Sequence, residues 1–127
     1  TVMQVTDNPK QVAIAVNKVN YTHDMIVHTK KFNVSILTTE TPFKVFQHFG
    51  FQSGKEVNKF ENYPDVAYSS NGLIYLKNNT NAYLSCDVVE MIDCGTHTLF
   101  IAQVTEANYP IFHLVRTNII LITSNLP

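Results

Sequence analysis

Hydrophobic and polar positions alternate with a period of two along much of this chain, and that alternation predicts strands. In residues 2–6, Val2, Gln4 and Thr6 alternate with Met3 and Val5. Asp7-Asn8-Pro9 predicts a turn, with Pro9 ending the strand. Residues 11–16 predict the next strand, so these two form a hairpin or neighbouring pair. Its apolar run, Ala13 to Val16, is short and flanked by polar residues, which suits a buried strand. The chain then turns through Asn17, Lys18, Val19 and Asn20 into a short helix from about His23 to Thr29, which Asn20 or Thr22 can cap. Residues 32–37 predict a third strand.

Thr41-Pro42 predicts another helix start, with Phe43, Val45, Phe46 and Phe49 as its core-facing stripe and Gly50 closing it. Residues 63–70, which include Pro64, read as irregular, 73–76 as a short strand and 78–81 as a polar turn. Residues 82–92 and 97–105 alternate on either side of Asp93-Cys94-Gly95 and predict an antiparallel hairpin. The β-branched, apolar residues 111–123 predict one further strand. Six or seven strands with two or three short helices, and no regular βαβ alternation, define a mainly β protein, an antiparallel barrel with helical insertions. No repeat or linker divides residues 1–127, so a single domain is expected. The opening on Thr1, directly in a strand, predicts that a segment lies upstream.

Composition narrows the function classes. A chain of 127 residues with 45% hydrophobic and 15% charged residues folds around a real core. A net charge of -1 argues against a general nucleic-acid binder. The longest apolar stretch, residues 111–122, is interrupted by His113, Arg116 and Asn118 and is shorter than the roughly 20 residues a membrane-spanning helix needs. No secretory signal is visible, and two sparse cysteines, Cys86 and Cys94, fit a reducing cytoplasm. They leave room for one disulfide but define no framework, and the five histidines show no metal-ligand spacing. The Asn-x-Ser/Thr triplets at Asn20, Asn33 and Asn78 read as chance in an Asn-rich chain.

Two turns could hold an anion. The first joins the 11–16 strand to the helix, where unpaired amides and the positive end of the helix dipole converge. The second lies in Phe51 to Phe60, FQSGKEVNKF. There Ser53 and Gly54 form a turn, and Lys55 and Lys59, four apart, share one helical face as a candidate phosphate clamp. No Walker A loop, nucleophile elbow, zinc-protease motif or dinucleotide fingerprint occurs. An ordinary strand-to-helix turn and two solvated lysines are the plainer readings of each stretch alone.

The series TVMQVTDNP, VAIAVNKVNYTHDMI, FNVSIL, FGFQSGKEVNKF and CGTHTLFIAQVTEA resembles, in order, the flavin reductase-like proteins with an FMN-binding split barrel. It is similar in particular to flavoredoxin-type and rubredoxin-associated members, and the resemblance runs from Thr1 to about Ala107. It implies a Greek-key split barrel that forms a homodimer, with FMN near the subunit interface. It implies that Met3, Gln4, Val5 and Thr6 lie along the flavin ring through their backbone. Asn17, Lys18 and Thr22 then lie by the ribityl chain and phosphate, with Ser53, Gly54, Lys55 and Lys59 clamping the phosphate. His97 is implied beside the flavin and the site of NADH or NADPH, as the catalytic group. The function implied is NAD(P)H-dependent flavin reduction, or electron transfer to a protein partner such as a rubredoxin-like carrier. A barrel that only holds a phosphorylated ligand, without turnover, is the alternative. The chain departs from the family in three places. By the resemblance, a strand is expected before the segment that matches Thr1, Lys55 stands where Arg is common, and the tail after Ala107 is atypical.

Overall fold

The computed structural model describes residues 2–37, 42–44, 66–77, 80–108 and 119–123. The expected helix after Thr41-Pro42 and the whole second anion turn, Ser53, Gly54, Lys55 and Lys59 included, fall outside or only at the margin of these residues. Eight strands and one long helix are described: β1 (Val2–Thr6), β2 (Gln11–Asn17), α1 (Tyr21–Thr29), β3 (Lys31–Leu37), β4 (Val66–Tyr68), β5 (Ile74–Leu76), β6 (Thr80–Asp93), β7 (His97–Asn108) and β8 (Ile119–Thr123).

Six of the strands form one antiparallel sheet in the order β1-β2-β7-β6-β3-β8, and β4 pairs with β5 separately. The β1–β2 and β6–β7 hairpins are local, as their turns predict. The crossing from β2 through α1 to β3 is not local. It leaves a gap that the later β6–β7 hairpin fills, pairing β7 with β2 and β6 with β3. The expected last strand is confined, among the described residues, to β8, which pairs with β3.

Alternation decides which side chains enter the core. Val12, Ile14 and Val16 of β2 meet Phe100 and Ala102 of β7, with Cys86, Phe32, Val34 and Ile26 of α1 completing one buried cluster. Each fully buried aromatic or branched side chain there contributes about 1.5–3 kcal/mol relative to exposure. Bulges at Val88/Glu90 and Ser85/Cys86 each insert an extra residue and bend the long β6–β7 pair.

β3 is buried on both faces. Phe32 and Val34 enter the main cluster, whereas Asn33 and Ser35 face β5 and its approach. Asn33 Nδ2 donates to Ser69 Oγ at 2.8 Å and to the Ile74 carbonyl at 3.2 Å, and the Leu76 amide donates to Ser35 Oγ. Residues 66–68 were expected to be irregular. They form a strand because pairing with β5 satisfies their backbone, a tertiary effect that local propensity does not carry. The polar turn expected at 78–81 gives way at Thr80, where the chain is already paired with Leu37.

α1 starts at Tyr21, two residues before its sequence-based start. Asn20 has the extended cap conformation but makes no side-chain cap bond. Asn17 Oδ1 instead accepts from the Val19 amide at 3.0 Å, so the turn is closed one step earlier than a side-chain cap would close it. Lys30, with φ 60°, ends the helix, and its amide donates to the Ile26 carbonyl. No helix among the described residues is long and apolar enough to cross a membrane.

Candidate functional site

The end of the sheet where β2 gives way to α1 also holds the β6–β7 turn. Asp93 pairs with Thr98, and Gly95, with φ 80°, occupies the first central position of the two-residue turn. A positive φ at that position suits the twist of a tight hairpin, and glycine takes it without a steric penalty. The Cys94 amide donates to the His97 carbonyl, and the Lys18 amide donates to the Thr96 carbonyl at 2.9 Å. The two turns are therefore joined by backbone, and Asn17 lies directly opposite His97.

Register places the expected residues on faces. Residues directly paired across an antiparallel sheet share a face. Asn17 and His97 thus share the face opposite the main cluster with Ala15, Leu99 and Ile92, and with Ile101, Met3 and the buried Ala13 one pleat further on. Thr6, paired with Gln11, lies on it too. Gln4 pairs with Val12 and takes the opposite face, and Val5 sits in a bulge. β1 is the last strand of the order, so among the described residues its outer edge has no strand partner. Met3 is 60% exposed and Val5 46%.

His97 is half-buried, and its Nδ1 lies 2.9 Å from Thr96 Oγ1, which orients the ring. Lys18 is not a free cation: its Nζ lies 2.8 Å from Asp93 Oδ1. This hydrogen bond, a second from the Gly95 amide and the lysine charge hold the Asp93 carboxyl below its usual range. Thr22 is half-buried in the first turn of α1. Both cysteines are free. Burial, with the Asp87 charge adding to it, pushes the Cys86 thiol up to about 12, while Cys94 is exposed in the hairpin turn. Among the described residues no cluster of His, Cys, Asp or Glu is arranged to hold a metal.

The structure therefore brings Met3, Thr6, Asn17 and His97 onto one face, with Lys18 at its end, and leaves Gln4 on the other. Sequence reasoning missed Asp93 as the partner of Lys18, since 75 residues separate them. It also missed His23, whose Nε2 lies 2.7 Å from Thr98 Oγ1. The only local signal for Asp93 was its place two residues before Gly95.

An antiparallel open-edged barrel with a mixed apolar and polar face at one end defines a ligand-binding β protein. A sequence profile of the flavin reductase-like domain matches residues 1–111, and the chain belongs to that family. It is 40% identical over 107 residues to the high molecular weight rubredoxin of Moorella thermoacetica, covering 84% of this chain and 46% of that protein. It is 36% identical over 109 residues to the ferric-chelate reductase (NAD(P)H) of Archaeoglobus fulgidus, covering 84% of this chain and 63% of that protein. The chain thus spans less than two thirds of these relatives. Among solved structures, the NADH:FAD oxidoreductase of Streptomyces globisporus superposes with a TM-score of 0.76 at 25% identity, covering 85% of this chain and 63% of that one. The fold is the flavin reductase-like split barrel.

Proposed function

We propose that this protein binds FMN and works in electron transfer or in NAD(P)H-dependent flavin reduction, as a homodimer in a reducing cytoplasm. The observation that carries this reading is the outward face that sets Asn17 and His97 beside Ala15, Leu99 and Ile101 and ends at β1, the outermost strand of the sheet among the described residues. Small and branched apolar side chains suit a flat ring system, and free backbone groups on an edge strand suit the polar rim of that ring. The donor set therefore fits a flavin.

In this reading Met3, Gln4, Val5 and Thr6 hold the ring edge, Gln4 through its backbone alone since its side chain takes the other face. Asn17, Lys18 and Thr22 hold the ribityl chain and phosphate, and Ser53, Gly54, Lys55 and Lys59 close on the phosphate. Bound FMN supplies hydride acceptance and single-electron transfer, which no side chain of the protein can perform. His97 faces the donor site, where its ring orients the incoming nicotinamide and stabilises developing charge. Lys18 is held by Asp93, so it lends its charge to the site from a fixed position rather than by reaching freely. The NAD(P)H in the name of the Archaeoglobus relative supports the choice of donor, and the rubredoxin in the name of the Moorella relative supports a rubredoxin-like electron carrier as partner.

The test is a titration of the apo-protein with FMN and with riboflavin, followed by visible absorption. Charge-assisted hydrogen bonds contribute roughly 1.5–3 kcal/mol each. FMN should therefore bind at least about tenfold more tightly than riboflavin. Lys55→Ala/Lys59→Ala should narrow that difference. Equal affinity for the two flavins, unchanged in the double variant, would remove the phosphate clamp. A colourless protein that FMN cannot reconstitute would leave a barrel for some other phosphorylated ligand.

A further inference from the structure

The core side of β7 carries a polar contact that the flavin face does not require. His23, in the first turn of α1, has a side chain only 12% exposed. Its Nε2 lies 2.7 Å from Thr98 Oγ1, its Nδ1 lies 3.2 Å from Asp24 Oδ1, and its ring packs tilted against Phe100 with centroids 5.7 Å apart. Thr98 is 8% exposed. A leucine would fill the same wedge without any polar demand. A histidine there is costly unless its nitrogens are bonded, and both are.

Thr98 follows His97, and successive residues of a strand point to opposite faces. His23 therefore grips the underside of the strand end whose upper side carries His97. It does so from the same helical turn that carries Thr22, and Thr98 pairs with Val16 beside the Asn17–His97 pair. In a buried, low-dielectric setting such a bond is directional and ties two elements in one arrangement.

We propose that His23 is a positioning residue for the flavin site: its bond to Thr98 locks the start of β7 to the first turn of α1 and so sets where His97 stands. The proposal rests on the flavin reading for the use of His97, but the contact itself does not depend on any ligand. A misplacement of order 1 Å at a reacting site costs up to about 100-fold in rate.

The experiment compares wild type with Thr98→Val, Thr98→Ser and His23→Leu. In the apo-protein, NMR of ring-labelled histidine follows the His97 resonances. In the FMN-loaded protein, stopped-flow absorbance follows flavin reduction by NADH and by NADPH, beside the Kd for FMN. Thr98→Val, which removes one hydroxyl at constant shape, should displace the His97 resonances. It should also slow reduction about tenfold while leaving the FMN Kd within about threefold. Thr98→Ser should restore both. His23→Leu should match Thr98→Val, and if it fails to fold the threonine pair decides. A lower Tm with unchanged His97 resonances and unchanged reduction would make His23 a packing residue and overturn the proposal. If wild type binds no FMN, the functional reading fails, and the apo resonances still decide the role of His23.

Discussion

At the scale of single residues, the site depends on side chains held by a neighbour rather than left free. His97 is oriented through Thr96, and Lys18 through Asp93. For His97 the proposed function implies a separation of roles, with its ring serving the donor site and the phosphate held by other residues. His97→Ala should slow NAD(P)H-driven flavin reduction about tenfold or more. The FMN affinity should stay within about threefold, read by fluorescence titration beside stopped-flow reduction. Loss of FMN binding in this variant, or reduction at the wild-type rate, would take His97 out of the donor site. Among the nitrogens of buried asparagines, Asn33 shows how context overrules a motif. Its Asn-x-Ser triplet is fully buried and hydrogen-bonded to the 69–74 segment, so it presents no surface to a modifying enzyme.

At the scale of elements, two carboxylates fasten turns and loops to the sheet. Asp93 bonds Lys18 and so ties the β6–β7 turn to the β2–α1 turn. Glu106 of β7 accepts hydrogen bonds from Ser70 and from the Tyr83 hydroxyl, which hold its carboxyl below the usual range and secure the approach to β5. Tyr83 also stacks on Tyr75, with centroids 3.9 Å apart, so the same corner is held by packing. Both carboxylates bind protons less readily folded than unfolded. Their contribution to stability is therefore fully present above the unfolded carboxylate range, about pH 4, and is lost as pH falls through the lower folded values. Both are exposed enough that the effect is small. The urea midpoint should fall between pH 6 and pH 3 (bracketing about pH 4), and Asp93→Asn/Glu106→Gln should flatten that fall. An equally steep fall in the double variant would assign acid sensitivity to other carboxylates.

At the scale of the whole molecule, the outward face of the sheet carries exposed apolar side chains together with the charged Glu90, paired with Ile101. Met3 and Ile92 lie on it and are 60% and 38% exposed, with Val89 at 54% in the adjoining bulge. Exposed apolar side chains grouped on one face of a sheet suit an interaction surface. A second copy related by a two-fold axis would cover it and close the flavin site from the other side. Static light scattering at micromolar concentration should therefore give about twice 14.4 kDa. Ile92→Glu, which places a charge on that face without touching the main core, should shift the mass toward the single-chain value. A single-chain mass for the wild type with FMN present would count against an interfacial site.

Much of this was determined by the sequence alone. Period-two alternation located β1, β6 and β7, because a half-buried strand must present apolar groups on every second residue, while short apolar runs located β2 and β3. Asp93-Cys94-Gly95 located the main hairpin, because only a residue free to adopt positive φ closes so tight a turn. The ordered motifs carried the family. Tertiary structure decided what depends on contacts between distant residues. β4 exists because β5 satisfies its backbone, and β3 hides Asn33 and Ser35 because a second layer covers what alternation alone would leave to water. Asp93 meets Lys18, and His23 meets Thr98, across 75 residues each, since the β6–β7 hairpin inserts beside β2 only once the sheet has formed. Local pattern is blind to such pairings because each is a property of the sheet order, which no window of neighbouring residues contains.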